Sequence, residues 1–192
     1  LAGDLKPGKL QRYEFLGQPV LLGRDRAGKA YALRDVCPHR AAPLSAGQMV
    51  RDSAGADAVE CPYHGWRFRT DGVCAAIPSL ADDQNIEAGR IRVRSYPVAE
   101  SQGLVFIWLA SDERRDELPD QSPPVFPGVV GGRPKLVDRM VFESHIDHAG
   151  VGLMDPAHGP EGHQQWWWRS KAKQLDKAKA FEPREAGFAM AR

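Results

Sequence analysis

Two short segments of the chain place cysteine and histidine side chains at close spacing. The first reads Cys37-Pro38-His39-Arg40, and the second reads Cys61-Pro62-Tyr63-His64-Gly65-Trp66. Each segment offers one thiolate and one imidazole, so together they supply two sulfur and two nitrogen ligands for a metal centre. The proline after each cysteine and the glycine after the second histidine favour tight loops, in which the backbone approaches a bound group closely.

Two kinds of metal centre use this set of ligands. In a Rieske [2Fe–2S] centre two imidazoles replace two thiolates on one iron, and the smaller negative charge raises the reduction potential. Zinc fingers also use two cysteines and two histidines, but they usually pair like residues along the sequence. Here each segment is mixed, Cys-x-His and then Cys-x-x-His, which is the Rieske order. The pattern therefore favours an iron–sulfur cluster over zinc, and over four unrelated core and surface residues.

The composition limits the classes of partner and compartment. The 192 residues carry a formal net charge of +1, which gives no reason to expect a nucleic acid or an anionic membrane as partner. No apolar run reaches membrane-spanning length, and the first residues show no signal-peptide pattern. With Cys37 and Cys61 assigned to metal, Cys74 is the only other cysteine, so no disulfide is expected. We therefore expect a cytoplasmic protein in which Cys74 is a small buried apolar residue.

Up to about residue 110 the chain alternates short apolar runs with turns, which predicts an all-β domain. Residues 19–33 indicate a hairpin, residues 91–98 a half-buried strand and residues 104–109 a buried strand. Small and polar residues over 51–57 predict a surface hairpin tip between the two cysteine–histidine segments.

The pattern changes in the remaining part of the chain. Residues 111–134 are polar and then rich in Pro and Gly, which is typical of a linker. Residues 135–142 predict one more strand, and a short helix is expected through the His-rich segment that follows. The run Trp166-Trp167-Trp168 suits the wall of an apolar pocket, but consecutive strand residues point to alternating faces, so core packing is the alternative for at least one of them.

The two cysteine–histidine segments resemble those of the Rieske non-haem iron oxygenases, specifically their catalytic α subunits. A respiratory-chain Rieske protein normally carries extra disulfide cysteines beside its ligands; here Tyr63 stands in one of those places, and no spare pair exists. The resemblance implies an α+β protein with an all-β Rieske domain over residues 1–112, a linker over 113–134, and the beginning of a helix-grip (START-like) catalytic domain over 135–192.

The resemblance also implies the ligands of the [2Fe–2S] cluster. Cys37 and Cys61 would hold the inner iron, and His39 and His64 would hold the outer one. The imidazoles would then lie nearest the surface, where an electron can leave.

A second motif, Asp155-x-x-His158-x-x-x-x-His163, supports the same family. It resembles the oxygenase motif in which two histidines bind a mononuclear iron, and two histidines with one carboxylate leave one face of Fe(II) open for O₂ and substrate. The resemblance implies His158 and His163 as iron ligands. It implies Asp155 as the carboxylate that bridges an iron-ligating histidine to a cluster-ligating histidine of the neighbouring subunit, because a carboxylate accepts hydrogen bonds from both imidazoles.

Two features of this region leave alternatives open. The segment His145-Ile146-Asp147-His148 is an alternative source of iron ligands, since its two histidines are three residues apart and could share one face of the expected helix. We expect His145, Asp147 and His148 instead to make polar contacts in the core or to support the ligands. The third iron ligand of the family is a downstream Asp or Glu, and none of Glu161, Glu182 and Glu185 occupies its position. We therefore assign no carboxylate ligand and expect the C-terminal part of the catalytic domain to be missing from this chain.

The function implied by the resemblance is that of a terminal oxygenase. A reductase, with or without a ferredoxin, would deliver electrons from NAD(P)H through the cluster to the mononuclear Fe(II). The iron would activate O₂ to hydroxylate or demethylate an aromatic or related organic substrate, and the subunits would form a homotrimer. The rival function is a Rieske-type electron-transfer protein without oxygenase activity.

Overall fold

A computed structural model of the chain describes residues 1–81, 83–111, 118–120, 122–126, 138, 140–155, 180–184 and 187–190. The chain divides into two compact units, Leu1–Val137 and Asp138–Arg192. None of the helices in these described ranges is long and apolar enough to cross a membrane.

The first sheet of unit 1 is antiparallel and has the strand order β1-β2-β3-β8. Its strands are β1 (Leu10–Phe15), β2 (Gln18–Arg24), β3 (Ala30–Arg34) and β8 (Ser95–Tyr96). The hairpin predicted over residues 19–33 is confirmed as β2 and β3, which pair with Leu21 opposite Leu33. The apolar run of β2 is buried on both faces, which explains why its residues do not alternate with polar ones.

The second sheet is also antiparallel, with the order β4-β5-β6-β7. It consists of β4 (Gln48–Arg51), β5 (Asp57–Glu60), β6 (Arg67–Arg69) and β7 (Cys74–Ala76). The hairpin tip predicted over residues 51–57 is confirmed between β4 and β5. Its conformation is held by Asp52, whose carboxylate accepts hydrogen bonds from the backbone N–H groups of Ala54 (2.9 Å) and Ala56 (2.8 Å) and from Arg69 Nε (2.7 Å).

The predictions for the last strands of the unit are only partly confirmed. The single strand expected over 91–98 is wrong: Arg92 forms an isolated bridge with Val73, and β8 stops before Pro97, which has no N–H to continue the ladder. A separate hairpin follows, formed by β9 (Val98–Ser101) and β10 (Leu104–Ile107). β10 is half-buried rather than buried, because it belongs to a two-stranded sheet with one neighbour.

Two apolar cores lie on opposite faces of β2. Leu21 belongs to the central core, in which side chains of both four-stranded sheets pack together. Its neighbours in the strand, Val20 and Leu22, point to the opposite face and belong to the second core. The second core packs against β9 and β10. The central core consists of Leu21, Tyr31, Leu33, Cys37, Leu44, Val59, Cys61, Phe68, Cys74 and Val93. All three cysteines are therefore in the central core, and the burial expected for Cys74 is confirmed.

In unit 2 the described elements are α1 (Ile146–Met154), β11 (Phe181–Arg184) and β12 (Gly187–Met190), and the two strands pair antiparallel. The short helix expected through the His-rich segment is confirmed as α1. It begins after His145, whose Nδ1 accepts a hydrogen bond from the N–H of Asp147 at 3.3 Å. The strand predicted over 135–142 is wrong for the residues that the structure describes there, Asp138 and 140–142. Residues 166–168 lie outside the described ranges.

Candidate iron–sulfur site

The two cysteine–histidine loops are built from the same pair of backbone hydrogen bonds. In the first loop, which we call loop 1 (residues 37–42), the N–H of Cys37 donates to the carbonyl of Ala42 (2.9 Å), and the N–H of Ala41 donates to the carbonyl of Cys37 (2.9 Å). In loop 2 (residues 61–66) the N–H of Cys61 donates to the carbonyl of Trp66 (2.8 Å), and the N–H of Gly65 donates to the carbonyl of Cys61 (3.1 Å). Each cysteine is thus held at the start of a closed turn.

Both turns need a left-handed residue at their fifth position. Gly65 fills it in loop 2 with a φ of 70°, a conformation that costs glycine little. Ala41 fills it in loop 1 with a φ of 57°, where a Cβ atom is disfavoured. The two loops therefore share one backbone design, but loop 1 carries strain that loop 2 avoids.

The four potential ligands fall into two pairs. Cys37 and Cys61 are 2% and 3% exposed and lie together in the central core. His39 and His64 are exposed, and their ring centroids are 4.7 Å apart. This separation into two buried thiols and two surface imidazoles is the division of ligands between the irons of a Rieske centre. Nowhere in the described part of the chain do three or more His, Cys, Asp or Glu side chains form a group that could hold one metal ion.

The thiols and imidazoles have shifted pKa values. Burial, and then the neighbouring thiol of Cys61, raise the pKa of Cys37 to about 11. Loss of hydration, followed by the charges of His64 and Arg40, lowers the pKa of His39 and so favours the neutral imidazole that binds metal. Because iron binds cysteine as the thiolate, binding at Cys37 must displace its proton.

Two aromatic side chains of loop 2 contact the imidazoles. The indole of Trp66 stacks on His39 with a centroid distance of 4.7 Å and an interplanar angle of 6°. The exposed ring of Tyr63 is tilted against His64 at 3.9 Å. The Nε1 atom of Trp66 is buried and has no hydrogen-bond partner among the described residues, which is a costly arrangement in the absence of an acceptor. A buried, unpaired donor on a side chain that stacks on one of the four potential ligands fits a bound group that carries sulfur acceptors.

Acidic residues, which the sequence reasoning did not single out, close the base of each loop. Asp35 precedes loop 1 and accepts hydrogen bonds from the N–H (2.7 Å) and the hydroxyl (2.6 Å) of Ser45, which follows that loop. Glu60 precedes loop 2 and accepts from Arg67 Nε, which follows it, at 2.7 Å. The sequence places Asp35 and Glu60 next to the loops, but nothing in the spacing predicts that their side chains contact residues on the other side of each loop.

A family model described as the Rieske [2Fe-2S] domain matches residues 1–97. The chain belongs to the Rieske domain family. This confirms the all-β Rieske domain and the [2Fe–2S] cluster as its cofactor. The match covers both loops and ends inside unit 1, before the hairpin of β9 and β10.

The chain is also similar to individual Rieske oxygenases. It is 41% identical to a 4beta-methylsterol monooxygenase of Methylococcus capsulatus over 133 residues, which cover 69% of this chain and 34% of the relative. It is 30% identical to chlorophyllide a oxygenase of Arabidopsis thaliana over 162 residues, covering 83% of this chain and 27% of the relative. A crystal structure of apo dicamba monooxygenase matches with 35% identity and a TM-score of 0.50, over 62% of this chain and 35% of that one. The chain thus spans about a quarter to a third of the length of these Rieske proteins.

The second predicted metal site lies mostly outside the described residues. Asp155 directly follows α1, and its N–H donates to the carbonyl of Val151 at 3.0 Å, while His158 and His163 fall beyond the described range. The competing residues His145 and Asp147 are exposed rather than in a core. The assignment of the three motif residues therefore remains a prediction.

Proposed function

We propose that the chain carries the electron-accepting part of a Rieske non-haem iron oxygenase. The observation that supports this most directly is the pairing of two buried thiols with two surface imidazoles on loops of matching design. Cys37 and Cys61 would hold the inner iron of the cluster, and His39 and His64 the outer one. When bound, such a cluster takes up and passes on one electron at a time.

The loops suit this role for physical reasons. Burial of Cys37 and Cys61 keeps water from the sulfur ligands, and exposure of His39 and His64 leaves the imidazole edge open to an electron-transfer partner. The contacts of Trp66 and Tyr63 orient the two rings. The expected partner is a reductase, with or without a ferredoxin.

The oxygenase activity itself is supported by the motif at Asp155 and by the names of the relatives. In this proposal His158 and His163 would hold a mononuclear Fe(II), which would supply O₂ activation for an aromatic or related organic substrate. Asp155 is the electron-transfer bridge to a cluster of the neighbouring subunit in a homotrimer. The catalytic domain would be of the helix-grip type.

Single-cysteine variants test the cluster site. We expect Cys61→Ser to abolish the visible absorbance of the cluster together with its bound iron and acid-labile sulfide. Cys74→Ala is the matched control, since Cys74 lies in the same core but outside both loops, and it should retain the cluster. We expect a reduction potential between about −150 and +300 mV, whereas a cluster held by four thiolates has a potential of about −400 mV. Retention of the cluster by Cys61→Ser would refute the assignment.

The iron content separates an oxygenase from an electron-transfer protein. An oxygenase should bind one iron beyond those of the cluster, and His158→Ala or His163→Ala should remove that iron while the cluster spectrum persists. His148→Ala, in α1, is the control and should keep it. One iron per sulfide in the unmodified protein would favour the electron-transfer function.

A further inference from the structure

A buried carboxylate lies at the base of loop 1. The side chain of Asp35 has no exposed surface, and it accepts hydrogen bonds from three donors: the N–H of Ser45 (2.7 Å), the hydroxyl of Ser45 (2.6 Å) and Arg12 Nη1 (3.0 Å). Arg12 reaches it from β1, and about half of the arginine side chain (53%) is exposed. A buried carboxylate is tolerated where donors and a cation satisfy it in this way.

Asp35 connects the first sheet to the segment that follows loop 1. Its own N–H donates to the carbonyl of Pro19 in β2 at 2.9 Å, and its carboxylate binds Ser45 on the far side of the loop. Since two residues span at most about 7 Å, the backbone of Asp35 lies within that distance of the backbone of Cys37. The buried carboxylate therefore belongs to a residue at the base of loop 1 whose backbone lies within about 7 Å of that of a ligand cysteine.

The charge of Asp35 has a consequence for electron transfer. A negative charge near the cluster opposes the addition of an electron, so it lowers the reduction potential; a positive charge raises it. The effect of the buried carboxylate is larger than it would be in water because the interior screens charges weakly, and the half-exposed Arg12 has a smaller effect of the opposite sign. Asp35 and Arg12 carry opposite charges, and their effects on the potential should have opposite signs.

We propose that Asp35, held by Ser45 and Arg12, is a positioning residue that closes loop 1 and sets the reduction potential of the cluster. The proposal rests on the proposed function above, in which loops 1 and 2 hold the cluster. In this arrangement the hydrogen bonds of Ser45 close the loop, and the positive charge of Arg12 offsets the negative charge of Asp35.

The chain offers a matched control in Asp52. Its side chain is 1% exposed and, like Asp35, it binds backbone N–H groups and an arginine, Arg69. It follows β4 at the hairpin tip, whereas Cys61 follows β5 at the other end of the same pair of strands. Asp52 thus reproduces the chemistry of Asp35 at the end of the sheet remote from the ligands.

The test measures the reduction potential of the full chain with its cluster by spectroelectrochemistry, and the half-life of the cluster in the presence of an iron chelator. We expect Asp35→Asn to raise the potential and Arg12→Gln to lower it, while Asp52→Asn leaves it unchanged. Ser45→Ala should shorten the half-life about tenfold, the loss typical when a residue that supports metal ligands is removed. Asp52→Asn should not shorten it.

Several outcomes would overturn the proposal. Potentials that move in the same direction in Asp35→Asn and Arg12→Gln would indicate general loosening of the structure, and an Asp52→Asn shift as large as that of Asp35→Asn would do the same. If Asp35→Asn does not fold, Arg12→Gln decides alone, because a potential that stays unchanged or rises contradicts the charge argument. Absence of a cluster in the unmodified chain would instead refute the proposed function.

Discussion

At the scale of single residues, the site depends on side chains with contrasting surroundings. The thiol of Cys37 lies in the core, where burial raises its pKa to about 11, and the imidazole of His39 lies two residues away at the surface against Trp66. A turn that places neighbours in such different surroundings needs an unusual backbone conformation. The residue in this left-handed conformation is Ala41 in loop 1 and Gly65 in loop 2.

The strain at Ala41 leads to a prediction about stability. A left-handed conformation costs an L-residue about 1–2 kcal/mol, and the greater freedom of glycine in the unfolded chain costs about 0.5–1 kcal/mol. We therefore expect Ala41→Gly to raise the free energy of unfolding by about 0.5–1 kcal/mol and Gly65→Ala to lower it, both measured by urea denaturation. If Ala41→Gly destabilises the protein, the left-handed turn is not the source of strain.

At the scale of elements, the hairpin of β4 and β5 shows how one carboxylate holds a turn. The N–H groups of Ala54 and Ala56 point at Asp52, and Arg69 of β6 pairs with the same carboxylate. The tip also meets the turn between β2 and β3, because Asp57 accepts a hydrogen bond from the N–H of Arg26 at 2.8 Å and pairs with its side chain. The hairpin therefore joins the two sheets at the end remote from the ligand loops.

The pKa of Asp52 makes this hairpin sensitive to acid. The hydrogen bond from Arg69, and then those from the backbone of Ala56 and Ala54, lower the pKa of this carboxyl below its ordinary value. A lowered pKa stabilises the folded state above the ordinary pKa of Asp, and this stabilisation is lost as the pH falls towards the folded value. We expect the stability of the unmodified protein to fall more steeply below about pH 5 than that of Asp52→Asn, in urea denaturation at each pH. Parallel profiles would contradict this.

The sequence predicts the elements better than it predicts the contacts that hold the site. The loops follow from Cys, His, Pro and Gly in fixed order, and the hairpin tip over 51–57 follows from local composition. The break at Pro97 was missed because alternation continues through it. The contact between Asp35 and Ser45 depends on how loop 1 packs against β2, and no local pattern encodes a contact of that kind.

At the scale of the whole molecule, β2 separates two apolar cores that support different parts of the structure. The central core contains the ligand cysteines, and Phe68 is its largest fully buried side chain. The second core holds the hairpin of β9 and β10 against the opposite face, and Leu22 is part of it. A loss of packing in either core should lower stability, but only the central core supports the sulfur ligands directly.

This division predicts that stability and cluster retention respond differently to matched core substitutions. We expect Phe68→Leu and Leu22→Val each to lower the free energy of unfolding by about 1–2 kcal/mol, since both remove a small apolar volume. Phe68→Leu should also shorten the half-life of the cluster in the presence of a chelator, because looser packing around Cys37 and Cys61 lets water and chelator reach the sulfur ligands. Leu22→Val should leave that half-life unchanged. Equal acceleration in both variants would mean that cluster loss follows global unfolding, and the two cores would then act as one.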